Sequence, residues 1–318
     1  MKDTYSNIFS FNKKILSKTI KVLNQGSIVS LPTETVYGLA GNAYSKYSIS
    51  RIYKLKKRPK LNPLIIHYYN YKKAFDDVIF NKNFFKLYNR FCPGPITFIL
   101  KKKIKSKIQP IVSANLKTIA IRFPDHRVIR SILKKISFPL AMPSANVSSN
   151  VSPVCAEDVV DEFKKKIKLI IDGGKSRIGI ESTVVDLTGK PNVLRPGIIS
   201  SKLIHKVLKT KINILRKNIK LKSPGMLKKH YSPGIPIILN KKTNDEQFAL
   251  ITFGKKYKNN KNYFNLSQKS DLKEAASNLY KTLRKIKKKK FKKIYIVKIP
   301  NIGPGIAIND RIKRAAKK

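Results

Sequence analysis

Through its first 205 residues the chain alternates short, strand-sized apolar runs with stretches of helical periodicity, and this pattern restricts it to an α/β architecture. Leu16, Ile20 and Leu23 recur at helical spacing before Gly26, which reads as a helix stop. Ser27 to Leu31 then reads as a buried strand, Tyr44 to Lys56 as a helix and Leu64 to Tyr68 as a strand. Ile96 to Lys101, Thr118 to Phe123, Leu169 to Asp172 and Thr183 to Leu187 are further strands bounded by Pro or Gly. Asp125 to Lys135 and Ala156 to Lys165 fit intervening helices. Some connections are short, so the sheet is expected to be mixed rather than all parallel.

From Lys209 to Lys222 the pattern weakens into a Lys- and Asn-rich stretch that reads as a linker. Beyond it, strands are expected at Pro236–Leu239, Phe248–Phe253 and Ile294–Ile299, a long helix from Asp271 to Lys290, and a last helix from Pro304 to Ala316. The division is therefore a first unit over residues 1–205, a linker over 206–234 and a small α/β unit over 235–318. No apolar run approaches the ~18 residues of a membrane span, so no membrane association is expected. Met1 to Ser10 carries Asp3 and lacks an apolar core, so no secretory signal is expected there. Two cysteines, Cys92 and Cys155, show no metal spacing, and a reduced, cytoplasmic setting is the simplest expectation.

The net charge is +52. A polyanion partner would explain it, because a basic surface attracts phosphates at long range. So would compositional drift: of 69 basic residues 57 are Lys, accompanied by many Ile, Asn, Tyr and Phe and no Trp, the set an AT-rich coding sequence favours. Arg, the better residue for bidentate phosphate contacts, is not enriched. The excess is spread evenly, +25 over residues 1–205 and +27 over 206–318, which favours drift; incidental RNA affinity fits either account. Lys285 to Lys293 reads as a solvated helix end and the turn after it.

The common nucleotide and hydrolase signatures are missing. Gly174-Lys175-Ser176 ends like a P-loop, but Leu169 stands where that motif needs Gly. Gly303-Pro304-Gly305 is no dinucleotide fingerprint, no Gly-x-Ser-x-Gly elbow is present, and His67, His126, His205 and His230 show no ligand spacing for a metal.

What remains is a set of small, polar and basic segments at strand ends, where α/β enzymes place their sites. They are Leu31-Pro32-Thr33-Glu34-Thr35-Val36-Tyr37-Gly38-Leu39, the run from Lys56 through Arg58 and Asn62 to Leu64, Pro93-Gly94-Pro95, Thr118 to Arg122, Pro143-Ser144-Ala145-Asn146 with Ser152-Pro153, and Asp172-Gly173-Gly174. Glu181-Ser182-Thr183, Leu194-Arg195-Pro196-Gly197, Ser223-Pro224-Gly225-Met226 and His230-Tyr231-Ser232-Pro233 complete it. Fixed cations (Lys56, Arg58, Arg122, Arg195) stand with neutral donors (Thr35, Ser144, Asn146, Ser182) and few carboxylates. That balance suits a polyphosphate and a carboxylate-bearing substrate. It does not suit glycoside hydrolysis or a metal cage, which need clustered acids.

In this order the segments resemble the threonylcarbamoyl-AMP synthases, the long two-domain form of the YrdC-like family. The likeness extends from about Lys14 to Ala316 and includes the Lys56/Arg58 pair, Ser144 with Asn146, and the ending Asp310-Arg311-Ile312-Lys313-Arg314-Ala315-Ala316. The resemblance implies a twisted open mixed sheet with a smaller Rossmann-like second domain. It implies that L-threonine, bicarbonate and ATP give threonylcarbamoyl-AMP and pyrophosphate, the first step of threonylcarbamoyladenosine formation at position 37 of tRNAs. A downstream transferase complex would take the product. By matching positions, threonine would be held by Thr35, His67, Arg122 and Ser182. ATP would be held by Lys56, Arg58, Asn62, Thr118, Ser144, Asn146, Ser152, Arg195 and Tyr231, the last lying in a linker that closes over the nucleotide. Lys56 and Arg58 would act on the transition state, and Mg2+ would ride on the phosphates without a protein cage.

Lys57 and Ser149 stand where the family often has Gly, Cys92 where an aromatic is common, Arg127 for a frequent Pro and Asp158 for a frequent His. None removes an implied contact. A non-catalytic RNA-binding protein on the same fold is the alternative, supported by the charge and opposed by the joint presence of these segments.

Overall fold

The structure, a computed structural model, describes residues 5–214, 230–242, 245–257 and 260–317. Twelve strands form one large mixed sheet: β1 Ile8–Ser10, β2 Val29–Leu31, β3 Gly38–Asn42, β4 Ile65–His67, β5 Val78–Ile79, β6 Ile96–Lys102, β7 Thr118–Arg122, β8 Leu140–Ala141, β9 Ile170–Asp172, β10 Thr183–Asp186, β11 Asn192–Arg195 and β12 Asn213–Ile214. Their order is β1-β9-β2-β3-β8-β4-β7-β6-β10-β11-β12, with β5 against β6. The helices of this unit are α1 Lys13–Asn24, α2 Lys46–Lys56, α3 Lys82–Phe91, α4 Arg127–Lys135, α5 Ala156–Phe163 and α6 Ser201–Leu208.

Helix α1 turns Ile15, Thr19 and Leu23 inward, and the Asn12 side chain accepts the Ile15 N–H at its start. The strand period of two sorts the sheet into two faces. Ile119 and Ile121 of β7 and Phe98 and Leu100 of β6 enter the large core. Their neighbours Ala120 and Ile99 turn the other way and meet Ile65, Val184 and Leu194 in a small cluster. That second face carries the polar residues of the site.

The second unit is a four-stranded parallel sheet, β13 Ile237–Leu239, β14 Phe248–Thr252, β15 Tyr263–Asn265 and β16 Lys293–Ile296, in the order β13-β16-β14-β15. Helices α7 Leu272–Lys288 and α8 Pro304–Ala315 accompany it. Its core is continuous with the first unit: Val36, Val151, Val154 and Ile180 pack among Leu279, Tyr280, Leu283 and Ile308. Arg284 of α7 adds bonds to Val151 O and Glu162, and Lys288 pairs with Asp161.

The first sheet runs past the boundary drawn at residue 205. Helix α6 buries Ile204 and Leu208 in the large core, and β12 adds to β11. The run Lys285 to Lys293 is the end of α7, a turn and the first residue of β16. The Lys209–Lys222 stretch continues beyond the described residues, and Ser223-Pro224-Gly225-Met226 lies outside them. No described helix is long and apolar enough to cross a membrane.

Candidate functional site

Strand pairing creates the site. β4 and β7 run parallel with Ile65 opposite Ala120 and His67 opposite Arg122. β6 runs antiparallel to β7 with Thr97 opposite Arg122. His67, Arg122 and Thr97 therefore stand abreast on one face at the end of three adjacent strands. Ser182, just before β10, bonds Thr97 across 2.7 Å. Arg195, ending β11, donates to the Ser182 carbonyl and hydroxyl, each at 3.1 Å.

These residues floor a cavity of about 40 Å³ lined by Thr33, Arg58, His67, Arg122, Ser144, Glu181, Arg195, His230 and Tyr231, with apolar walls from Val36, Ile65 and Met142. Of the thirteen residues expected from sequence, Arg58, His67, Arg122, Ser144, Arg195 and Tyr231 reach it directly. Four stand one hydrogen bond behind. Thr35 bonds Thr33, Lys56 bonds the Ser144 carbonyl, Ser152 bonds Glu181 and Ser182 bonds Arg195. Asn62 and Asn146 are buried in the supporting loops. Thr118 shares the face of Arg122 but starts β7 four residues earlier, roughly 13 Å along the strand, and does not line the cavity.

The cations are locked by backbone. Lys56 ends α2, fully buried, and its ammonium donates to the carbonyls of Ser144 and Asn146, tying the helix to the Ser144–Asn146 loop. Burial and then the charge of Arg58 hold its pKa well below the usual lysine range. Arg58 donates to Asn62 O at 2.9 Å and Pro63 O at 2.7 Å, and burial brings its pKa down to about 10. Lys57, between them, closes α2 in the left-handed region at φ 49°.

Three groups are poised and unsatisfied. Neither ring nitrogen of His67 makes a well-aligned hydrogen bond, the backbone of Ile65 and Leu140 lying nearest, and burial, then Arg122, keeps the imidazole neutral with a strongly lowered pKa. Both polar atoms of the Asn62 side chain are also unpartnered, as is the Tyr231 hydroxyl. Each of these buried groups can take a hydrogen bond from a polar ligand or a water.

Two carboxylates were not expected here. Glu34 bonds Arg122 at 2.7 Å, and Glu181 accepts Ser152 Oγ, Tyr280 OH and Arg311 Nε. Burial alone would raise the Glu181 carboxyl, but Arg311, then Arg195, bring it down to about 2. His230 and Thr33 line the cavity too. Glu34, Glu181 and His230 sat inside motifs visible in the sequence; Tyr280 and Arg311 reach the cavity wall only through the second unit. Beyond Arg58 opens a wider groove of about 770 Å³ edged by Lys46, Lys54, Lys57 and Lys60. Among the described residues no cluster of His, Cys, Asp and Glu is arranged to hold a metal ion.

The chain is similar to known proteins over nearly its whole length. A family model described as telomere recombination, of the Sua5, YciO and YrdC type, matches residues 21–197. A second, described as the threonylcarbamoyl-AMP synthase C-terminal domain, matches residues 199–317. The chain is 34% identical to a threonylcarbamoyl-AMP synthase of Pyrococcus abyssi, over 92% of each chain. It is 33% identical to one of Bacillus subtilis, over 96% of this chain and 94% of the relative. The crystal structure of P. abyssi Sua5 complexed with L-threonine superposes with a TM-score of 0.89 at 31% identity over 97% of both chains. Escherichia coli YciO, at 22% identity and a TM-score of 0.56, covers 63% of this chain and shares the fold of the first unit.

Proposed function

The chain belongs to the threonylcarbamoyl-AMP synthase family, and on that premise we propose that it acts as a nucleotidyltransferase, joining L-threonine, bicarbonate and ATP into threonylcarbamoyl-AMP with release of pyrophosphate. The carrying observation is the convergence of Arg58, Arg122 and Arg195, with Lys56 one bond behind, on one buried cavity beside a buried, neutral His67.

In this reading the threonine carboxylate takes Arg122, whose Nε is buried without a partner. The threonine side-chain hydroxyl and amine are met by His67, Thr35 through Thr33, and Ser182. The carbamate formed from the amine and bicarbonate presents an oxygen to the α-phosphorus, and pyrophosphate leaves. Arg58, Arg195 and Lys56 hold the phosphates and neutralise the charge that builds at phosphorus. Asn62, with its free amide, Ser144, Asn146 and Ser152 complete the nucleotide contacts at the cavity, and Thr118, farther along β7, would meet the part of the nucleotide that extends beyond it.

Magnesium enters as the companion of the ATP phosphates, where it supplies charge neutralisation. The donor set fits that role, since Glu34 and Glu181 are each held by an arginine and leave the metal to the phosphates.

At about 40 Å³ the cavity has room for a few waters, each needing roughly 10–15 Å³, and not for a nucleotide. ATP therefore needs Tyr231 and His230 to withdraw and then close over it, as a lid does. The setting is the cytoplasm, and a transferase acting on tRNA consumes the adenylate. The groove beyond Arg58 accounts for any accompanying RNA affinity. An RNA-binding protein without turnover would not need so many buried cations around a closed cavity.

Incubation with ¹³C-bicarbonate, ATP and threonine tests the reaction: mass spectrometry should find the threonylcarbamoyl-adenylate one mass unit heavier. An unlabelled adenylate, or none, contradicts it.

A further inference from the structure

The ending Asp310-Arg311-Ile312-Lys313-Arg314 has no part in the reaction as described, yet it places the most deeply sealed arginine among the described residues. The Arg311 side chain is 0% exposed. Its Nε donates to Glu181 at 2.9 Å, and its Nη1 to Pro196 O at 2.9 Å and to Asp310 at 2.8 Å. Asp310 in turn receives Arg314 one helical turn on, which fixes the rotamer of the pair. The guanidinium lies 5.1 Å from the centroid of the Tyr231 ring, and Tyr231 stacks on Tyr280 of α7.

Glu181 is the counterpart. It lines the cavity and binds both units at once, through Ser152 Oγ at 2.6 Å, Tyr280 OH at 2.9 Å and Arg311. The loop before it is built to rest on the second unit. A Cβ on Gly179 (φ +73°) would stand 2.6 Å from the Ser277 backbone of α7, so only glycine allows that approach. Ile180 packs in the core the two units share. The residue after Glu181 is Ser182, which holds Arg195. The last turn of α8 also receives the linker directly, with the His230 N–H donating to Arg314 O at 3.4 Å.

We propose that Arg311 is a positioning residue for the nucleotide half of the reaction, acting from the second unit through Glu181 and Tyr231. It fixes the wall that carries Ser152, Ser182 and Arg195 and gives Tyr231 a cationic seat in the closed position. Of the threonine residues, His67 and Arg122 on β4 and β7 have no bond to the second unit among these contacts, and only Ser182 adjoins Glu181. Removing Arg311 should therefore weaken ATP far more than threonine, which separates positioning from general loss of structure. This inference rests on the synthase reading.

The test is steady-state kinetics of adenylate formation by the full chain, with urea unfolding alongside. Wild-type turnover establishes the parent reading, and its absence overturns that reading separately. In R311M the KM for ATP should rise by about tenfold or more with the KM for threonine within about twofold, and R311K should recover part of the loss. The double variant R311M/E181Q should be no worse than the poorer single variant, because both act through one contact. If R311M does not fold, Tyr280→Phe removes one hydroxyl from Glu181 and should raise the ATP KM by about threefold. Unchanged ATP kinetics in folded R311M, or in Y280F where R311M is unfolded, overturns the proposal. So does an equal rise in both KM values.

Discussion

Arg122 Nη2 donates to Glu34 Oε1 at 2.7 Å beneath the cavity floor, with both side chains at 5% exposure or less. The second oxygen of Glu34 and the Nε of Arg122 have no partner. A buried pair of this kind is costly to break from one side only, since the survivor is left charged in a dry interior. R122M should lose about 3–5 kcal/mol of stability in urea unfolding. R122M/E34Q should recover about 1 kcal/mol or more of that loss, the sign of a coupled pair. Additive losses would mean the two groups are independent.

The pH dependence follows from His230. Burial, opposed by Glu181, lowers its pKa from 6.5 to about 3. Between those values the unfolded chain binds a proton that the folded chain refuses, so stability falls as pH drops below 6.5. At pH 5 the loss from this residue is about 2 kcal/mol relative to neutral pH. His67 is lowered for the same reason and acts with the same sign. Glu181 acts in a different window: its carboxyl is depressed from 4.5 to about 2, so its contribution is intact above 4.5 and is lost as pH falls towards 2. The Tm should therefore fall from pH 7 to pH 5, and His230→Gln should flatten that slope. An equally steep slope in the variant would contradict the assignment.

Lys57 and Ser149, two positions where the family often has glycine, both adopt positive φ, 49° and 72°. L side chains are strained there, while glycine is not. Ser149 also offers its carbonyl to the Ser232 N–H, anchoring the linker, so the backbone has reason to keep that conformation. Lys57→Gly and Ser149→Gly should each stabilise the fold by about 0.5–1 kcal/mol, the strain relieved less the entropy gained by the unfolded chain. Urea midpoints should rise with an unchanged slope. A fall in either would show that the side chain contributes more than its backbone costs.

Lys56 and Arg58 distinguish transition-state stabilisation from substrate binding. K56A and R58A should lower the rate of adenylate formation by about a hundredfold or more and leave threonine affinity within about threefold. Calorimetric titration with threonine beside turnover measurements decides it. Parallel losses in both would place these residues in general support of the site.

Long periodic elements were legible because their patterns are local. Asp271, expected to open the long helix, caps α7 by accepting the N–H groups of Lys273 and Glu274. β3 was not legible, since Gly-Leu-Ala-Gly-Asn has little strand preference and becomes a strand only by lying between β2 and β8. Helix α3 lies outside the elements expected from the sequence, although Asn81 caps it and Phe84 and Leu87 form its inner face. In the site, cations and carboxylates alike stand in recognisable motifs, but their pairing is not legible there. Glu181 and Arg311 lie 130 residues apart and meet only when two sheets dock. Thr33, rather than Thr35, reaches the cavity because its hydroxyl sits at the turn, accepting the Thr35 and Val36 N–H groups.

The most direct measurement is pyrophosphate release from ATP by the purified chain, without tRNA, as each co-substrate is omitted in turn. Release that requires both threonine and bicarbonate, with threonylcarbamoyl-AMP as the product, is the predicted result. No release from a folded sample that still binds RNA would contradict the synthase account and leave a nucleic-acid-binding protein on the same fold.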